Sequence, residues 1–287
     1  MGKIKYILWE LYKKRGAFSF KYLIVFFLSS GALFSQGKVI TWGLGSAGNS
    51  SSVASSIDSG VIEISSTDDA FAALKSDGSV VTWGSSAYGG DSSSVSTALG
   101  SGVIEIFSTQ RAFAALKSDG SVVTWGHNQY GGDSSSVNLN SGVIEIFKTN
   151  SAFAALKSDG SVITWGSTSN GGDSSSVSTA LGSGVIDIFP SLGAFAALKS
   201  DGSVVTWGSN GMGGDSSSVA SSINSGVIEI FSTIHAFAAL KSDGSVVTWG
   251  SSSMGGDSSS VSTALGSGVK EIFHTDGALL LLKVTVV

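Results

Sequence analysis

From residue 37 onward the chain repeats one alternation of apolar and polar positions. The unit that begins at Gly102 reads GVIEIFSTQRAFAALKSDGSVVTWGHNQYGGDSSSVNLNS and contains four short runs of strand length, at 103–107, 112–116, 121–125 and 133–137. Short runs rich in Val, Ile, Phe and Trp, bounded by Gly, Ser, Asp and Asn, predict β-strands, and four in succession predict one four-stranded blade. Between the second and third runs, Asp119 and Gly120 supply a pair that tolerates the positive φ of a tight hairpin turn.

The phrase TWG marks the period. It carries Trp42, Trp83, Trp125, Trp165, Trp207 and Trp249, in steps of 41, 42, 40, 42 and 42 residues. A blade of this size cannot bury both faces alone and must pack against its neighbours. Residues 37–43 match the third strand of a unit, and residues 268–283 match the first two strands of another. The two pieces complement each other, so the pattern predicts a blade shared by the ends of the array. The expected fold is all-β, a β-propeller of about six four-stranded blades over residues 36–287, its ring closed by pairing the N- and C-terminal strands.

Residues 1–35 are different in kind. Lys3, Lys5, Lys13, Lys14, Arg15 and Lys21 precede an apolar run at 22–34, which is 13 residues long and ends among small residues. That is the pattern of a signal peptide, cleaved near residues 32–36, or of an uncleaved signal anchor. Either implies an exported domain: secreted, periplasmic or on a cell surface. The formal charge is −5; without residues 1–35, which hold six bases and Glu10, it is −10, from 10 bases and 20 acids. Nucleic acid is a poor partner for such a chain, because phosphate binding needs clustered Lys and Arg. The chain has no Cys, which excludes disulfides, thiolate metal sites and a Cys nucleophile.

The motif V-x-x-I, then A-L-K-x-D-G, then V-x-x-W-G with a Gly-rich segment behind it resembles the regulator of chromosome condensation repeat. The match covers residues 37–283. With its short repeat and shared blade, the chain is most similar to the secreted bacterial propellers of that superfamily, of the β-lactamase-inhibitory-protein type. The resemblance implies a propeller, closed in most members by about seven blades. Ala112 and Phe113 stand where members often carry a His before the A-L of the second strand, so no contact of that His carries over.

Three repeated features offer chemistry. The six TWG indoles form either a stacking platform or, the preferred reading, core. The first-strand acids Glu63, Glu105, Glu145, Asp187, Glu229 and Glu271 form either a cation-holding ring or, preferred, an ion-pair ladder with the lysines that end the second strands, such as Lys117. In the GGDSSS segment Asp91, Asp133, Asp173, Asp215 and Asp257 read as turn caps, and their spacing matches no calcium loop. No metal and no cofactor is expected. The only histidines, His127, His235 and His274, occupy non-repeated places with no recognisable nucleophile or orienting acid, so no catalytic residue is assigned.

Differences between copies concentrate in two places: the pair before each second strand, and the four residues after each W-G. In an antiparallel meander those loops emerge on one face. That rim carries Tyr88, Arg111, His127, Tyr130, Met212, His235 and Met254, residue types enriched in contact sites and expected to be exposed. The serines of GGDSSS stay constant although no turn rule requires them. The pattern implies a non-enzymatic propeller that binds a protein or glycan through one variable face. A display module without a specific ligand and an enzyme with an axial site are the alternatives.

Overall fold

The structure is a computed structural model that describes residues 37–43 and 45–283; the expected leader, residues 1–35, lies outside them. The described residues form five three-stranded antiparallel sheets and one two-stranded sheet. The first sheet is β1 (Val61–Ser66), β2 (Ala70–Lys75) and β3 (Val80–Gly84), and the second is β4 (Val103–Ser108), β5 (Ala112–Lys117) and β6 (Val122–Gly126). The third contains β7 (Val143–Lys148), β8 (Ala152–Lys157) and β9 (Val162–Gly166), the fourth β10 (Val185–Pro190), β11 (Ala194–Lys199) and β12 (Val204–Gly208). The fifth contains β13 (Val227–Ser232), β14 (Ala236–Lys241) and β15 (Val246–Gly250), and the sixth only β16 (Val269–His274) and β17 (Leu279–Lys283). This is an all-β series of repeated blades, as a propeller requires.

The middle strand explains the packing. Its sequence AFAALK does not alternate, because a strand sandwiched between two neighbouring blades is buried on both faces. In β5, Ala112, Phe113, Ala114 and Ala115 are all fully buried. Five of the described cores span two blades: Ala112, Ala114 and Leu116 of the second sheet meet Ile146, Phe153, Ala155 and Trp165 of the third. The small Ala side chains let the blades approach, and the Phe and Trp fill the space between them. Phe113 pairs with Trp125 across the sheet and stacks on it at 5.1 Å, and all five such Phe–Trp pairs lie between 5.1 and 5.4 Å.

Each buried indole also donates a hydrogen bond, Trp83 to the carbonyl of Ala47 at 3.1 Å and the other four to a neighbouring blade. Trp125 Nε1 donates to the carbonyl of Gly89, Trp165 to Gly131, Trp207 to Gly171 and Trp249 to Gly213, at 3.0–3.1 Å. Five of the six repeated Trp residues are therefore core. Trp42 is the exception, 84% exposed.

The expected fourth strand is not formed. Residues 133–137 and their equivalents lie along the third strand as short turns, several of them 3-10, because their polar groups bond locally. Asp133 Oδ1 accepts from the Ser135 amide at 2.9 Å, and the hydroxyls of Ser134 and Thr124 bond at 2.9 Å. The constancy of those serines accordingly has a structural cause.

The ion-pair ladder is also corrected. Register sets Lys117 opposite Val103 and Glu105 opposite Leu116, across a bulge. The Lys117 ammonium donates instead to the carbonyl of Ala98 at 2.9 Å, and Lys199, Lys241 and Lys283 make the equivalent bond. The first-strand acids approach one another between blades: burial raises the pKa of Glu229, and the charges of Glu271 and Asp187 raise it further.

At the Asp-Gly turn, Asp119 Oδ1 accepts from the amide and hydroxyl of Ser121 at 2.9 and 2.6 Å. Gly120 has φ +77, and a Cβ there would sit 2.8 Å from the amide nitrogen of Gly142 in the next repeat. The turn is constant because it docks the following blade: the Val143 amide donates to the Gly120 carbonyl at 3.0 Å. The expected pairing of residues 37–43 with the last hairpin is not made among the described residues, where Gly37 bridges Val61 instead.

Two expectations follow. Trp125→Ala removes the stack, the indole bond and an inter-blade filler together, and should cost about 3–5 kcal/mol in denaturant unfolding. Hydrogen bonds from serine hold Asp119 and its equivalents Asp77, Asp159, Asp201 and Asp243 below their ordinary pKa. A depressed folded-state pKa gives stability that is present above the unfolded value of 3.8 and lost as pH falls through the folded one. Acid melting curves should show that loss below about pH 4, and Asp119→Asn should make it shallower. For Glu229, raised on folding, the sign reverses, and Glu229→Gln should increase the melting temperature at neutral pH.

Candidate functional site

The two variable segments meet on one rim and are tied together by constant atoms. Thr109, between β4 and β5, accepts from the Ala112 amide at 3.1 Å and donates its hydroxyl hydrogen to the carbonyl of Tyr130 at 2.8 Å. Thr67, Thr149, Ser191 and Thr233 make the same link to the carbonyls of Tyr88, Asn170, Met212 and Met254. A second link runs around the rim between blades. The amide of Asp68 donates to Gln110, Gln110 to Asn150, Asn150 to Leu192, Leu192 to Ile234, and Ile234 to Asp276, at 2.9–3.0 Å. Backbone atoms alone make this ladder, which is why its side chains are free to differ.

Side chains from adjacent blades interleave along the rim. The Arg111 guanidinium lies between the rings of Tyr88 and Tyr130, 4.8 and 5.0 Å from their centroids. His127 meets Tyr130 edge to face at 5.2 Å. In the third blade Asn170 Nδ2 donates to the Ser151 hydroxyl at 2.6 Å. A Cβ on Gly193 would meet Met212 Sδ at 2.7 Å and Asn170 Oδ1 at 3.0 Å, and one on Gly277 would meet Met254 Sδ at 3.1 Å. Residues before the second strands thus sit beside the last residues of 3-10 turns, as Arg111 does beside Tyr88 and Tyr130 and Gly193 beside Met212.

Of the seven residues singled out from the sequence, the structure brings Tyr88, Arg111, His127 and Tyr130 into one cluster. Met212, His235 and Met254 follow on the fourth and fifth blades of the same rim. The expectation that they are exposed is corrected: all seven are half-buried. Tyr88, Tyr130 and Met212 pack against the inter-blade cores and present only part of their surface. A guanidinium stacked between two phenol rings gains cation–π attraction on both faces while its N–H edge keeps the geometry for an anionic or carbonyl group. Arg111 Nε and His127 Nδ1 are buried and have no hydrogen-bond partner among the described residues.

A cavity of about 260 Å³ opens among the loops that follow the first strands, lined by Lys148, Asn150, Leu192, Ile234, His274 and Asp276. Burial lowers the pKa of Lys148. Sequence reasoning passed over Lys148, although its column also varies, as Ser66, Ser108, Lys148, Pro190, Ser232 and His274. A cavity of about 550 Å³ lies between the second and third blades, lined by Asn128, Asp133, Thr164, Trp165 and Asp173 among others. Among the described residues no group of three or more His, Asp or Glu side chains is placed to hold a metal ion.

No family model matches the chain, and no curated protein matches it. Solved structures do. The ectodomain of the receptor kinase CR4 from Physcomitrella patens is 15% identical with a TM-score of 0.42, over 69% of this chain and 54% of that one. Human WBSCR16 is 19% identical with a TM-score of 0.42, over 66% and 61%. Yeast RCC1 (Prp20), solved bound to Kap60, is 18% identical with a TM-score of 0.42, over 68% and 56%. The chain spans little more than half the length of these structures, and scores of this size leave the fold to rest on the geometry above.

Proposed function

We propose that the protein is an exported, non-enzymatic propeller that recognises a protein or glycan outside the cytoplasm through the rim of variable loops. The observation that carries this reading is the Tyr88–Arg111–Tyr130 stack with His127 against it, four side chains from three variable segments on two adjacent blades converging at one place. Export is supported by the basic and apolar pattern of residues 1–35. The partner is expected to offer an acidic or carbonyl group to the Arg111 edge and a flat or apolar surface to the phenol rings, the combination at which Tyr and Arg act as binding anchors.

The rim is also part of the scaffold, so binding and folding must be read separately. A glycan and protein array probed with the wild-type chain should identify ligands. Tyr88→Ala with Tyr130→Ala, and Arg111→Ala alone, should each weaken them by about 1–2 kcal/mol or more. Ser118→Ala, on the opposite rim, should leave affinity unchanged. Melting temperatures measured in parallel separate a lost contact from a lost fold. No ligand on the arrays, or equal binding by the rim variants, would favour a display module.

A further inference from the structure

The cavity of about 260 Å³ among the loops that follow the first strands is lined by residues 148–150, 190–192, 232–234 and 274–276, three from each of four consecutive blades. None of them belongs to the Tyr88–Arg111–Tyr130 stack. Much of the lining is already committed to the scaffold. The hydroxyls of Thr149, Ser191 and Thr233 donate to the carbonyls of Asn170, Met212 and Met254. The amides of Asn150, Leu192 and Ile234 are taken by the rim ladder. What is left for a ligand is the side chains that differ from blade to blade.

The ladder fixes the order of those side chains, because it sets Asn150, Leu192, Ile234 and Asp276 next to one another in turn. Lys148 stands beside Asn150 on the third blade, Leu192 and Ile234 are on the fourth and fifth, and Asp276 is on the sixth. Around the cavity the lining therefore reads cation, apolar, apolar, carboxylate. The two charges do not satisfy each other, since no ion pair joins Lys148 to Asp276 among the described residues. Burial lowers the pKa of Lys148, a cost that an anion brought beside it would offset.

A complementary ligand carries an anion, an apolar body and a cation in that order. Its length follows from the ladder: neighbours joined by amide-to-carbonyl bonds lie about 5 Å apart, as adjacent strands do, so three steps make an arc of roughly 14 Å. The lysine and aspartate side chains shorten the gap from either end. An extended peptide covers about 3.3–3.6 Å per residue, so two or three residues bridge what is left, whereas a single amino acid holds both charges on one carbon. We propose that this cavity is a second binding site, beyond the recognition assigned to the aromatic stack, and that it takes a free di- or tripeptide with apolar side chains. The peptide carboxylate meets Lys148, its ammonium meets Asp276, and its side chains lie on Leu192 and Ile234.

Titration calorimetry of the full chain with leucyl-alanyl-leucine tests this, run beside the same peptide amidated at its C-terminus, acetylated at its N-terminus, or blocked at both ends. The free peptide should bind, and each single block should weaken it about tenfold, the size of one charge-assisted contact. Lys148→Gln should abolish the preference for a free C-terminus and keep that for a free N-terminus, and Asp276→Asn should do the reverse. Lys148→Arg, which keeps the charge, should retain both preferences. These crossed losses place each end of the peptide, a pattern that general destabilisation of the fold does not produce. Charge variants that weaken all four peptides equally would overturn the proposal. So would a doubly blocked peptide that binds as tightly as the free one, leucine alone binding as tightly as the tripeptide, or no binding of the free peptide at millimolar concentration.

Discussion

The structure depends on one joint, repeated at the four boundaries between the three-stranded sheets: an indole stacked on the Phe of its own sheet, bonded to a glycine carbonyl of the neighbouring repeat, and closed over by Ala side chains of the adjacent blade. Each component constrains the others. Ala on both faces of the middle strand permits the close approach; without it the Trp would not reach the glycine carbonyl, 3.0 Å away for Trp125 and Gly89. The glycine, in turn, leaves room for the Phe ring beneath: a Cβ on Gly131 would lie 2.5 Å from Phe153 Cδ2. A core built between blades, and not within them, means that no single repeat is an independent folding unit.

The joint also separates the two rims. On one, the Asp-Gly turn contacts the next blade through its backbone at a distance that forbids a side chain, so the sequence there is fixed. On the other, successive loops are tied by amide-to-carbonyl bonds and by one conserved hydroxyl, so side chains project from a fixed frame. Chemical variety collects where the frame is made of backbone and is excluded where the frame leaves no space. Drift alone would satisfy this argument. What it does not produce on its own is the clustering of Tyr88, Arg111, Tyr130 and His127 at a single place.

Much of this was legible in the sequence. The period, the three inner strands, the hairpin turn and the buried Trp residues follow from residue type and spacing, since a TWG at the end of an alternating run has few other uses. The face shared by the two variable segments follows from strand reversal. The fourth strand was misread because DSSSV resembles a strand only while its Asp and Ser are ignored; their hydrogen bonds to the nearby backbone compete with a ladder. Glu105 and Lys117 suit each other by charge, but a bulge moves the acid out of register and a carbonyl claims the ammonium. Half-burial of the rim was hidden for a different reason. Tyr88 and Met212 act as lids on cores that their own blade shares with the next, and contact between repeats leaves no local signal.

The rim keeps one backbone frame from the first described blade to the last, each loop tied to the next by an amide-to-carbonyl bond of 2.9–3.0 Å. Side chains on successive blades are therefore held at a fixed spacing whatever their identity. A ligand with repeated epitopes would meet several of them at once, and weak single contacts would gain by effective concentration without any new chemistry at one site.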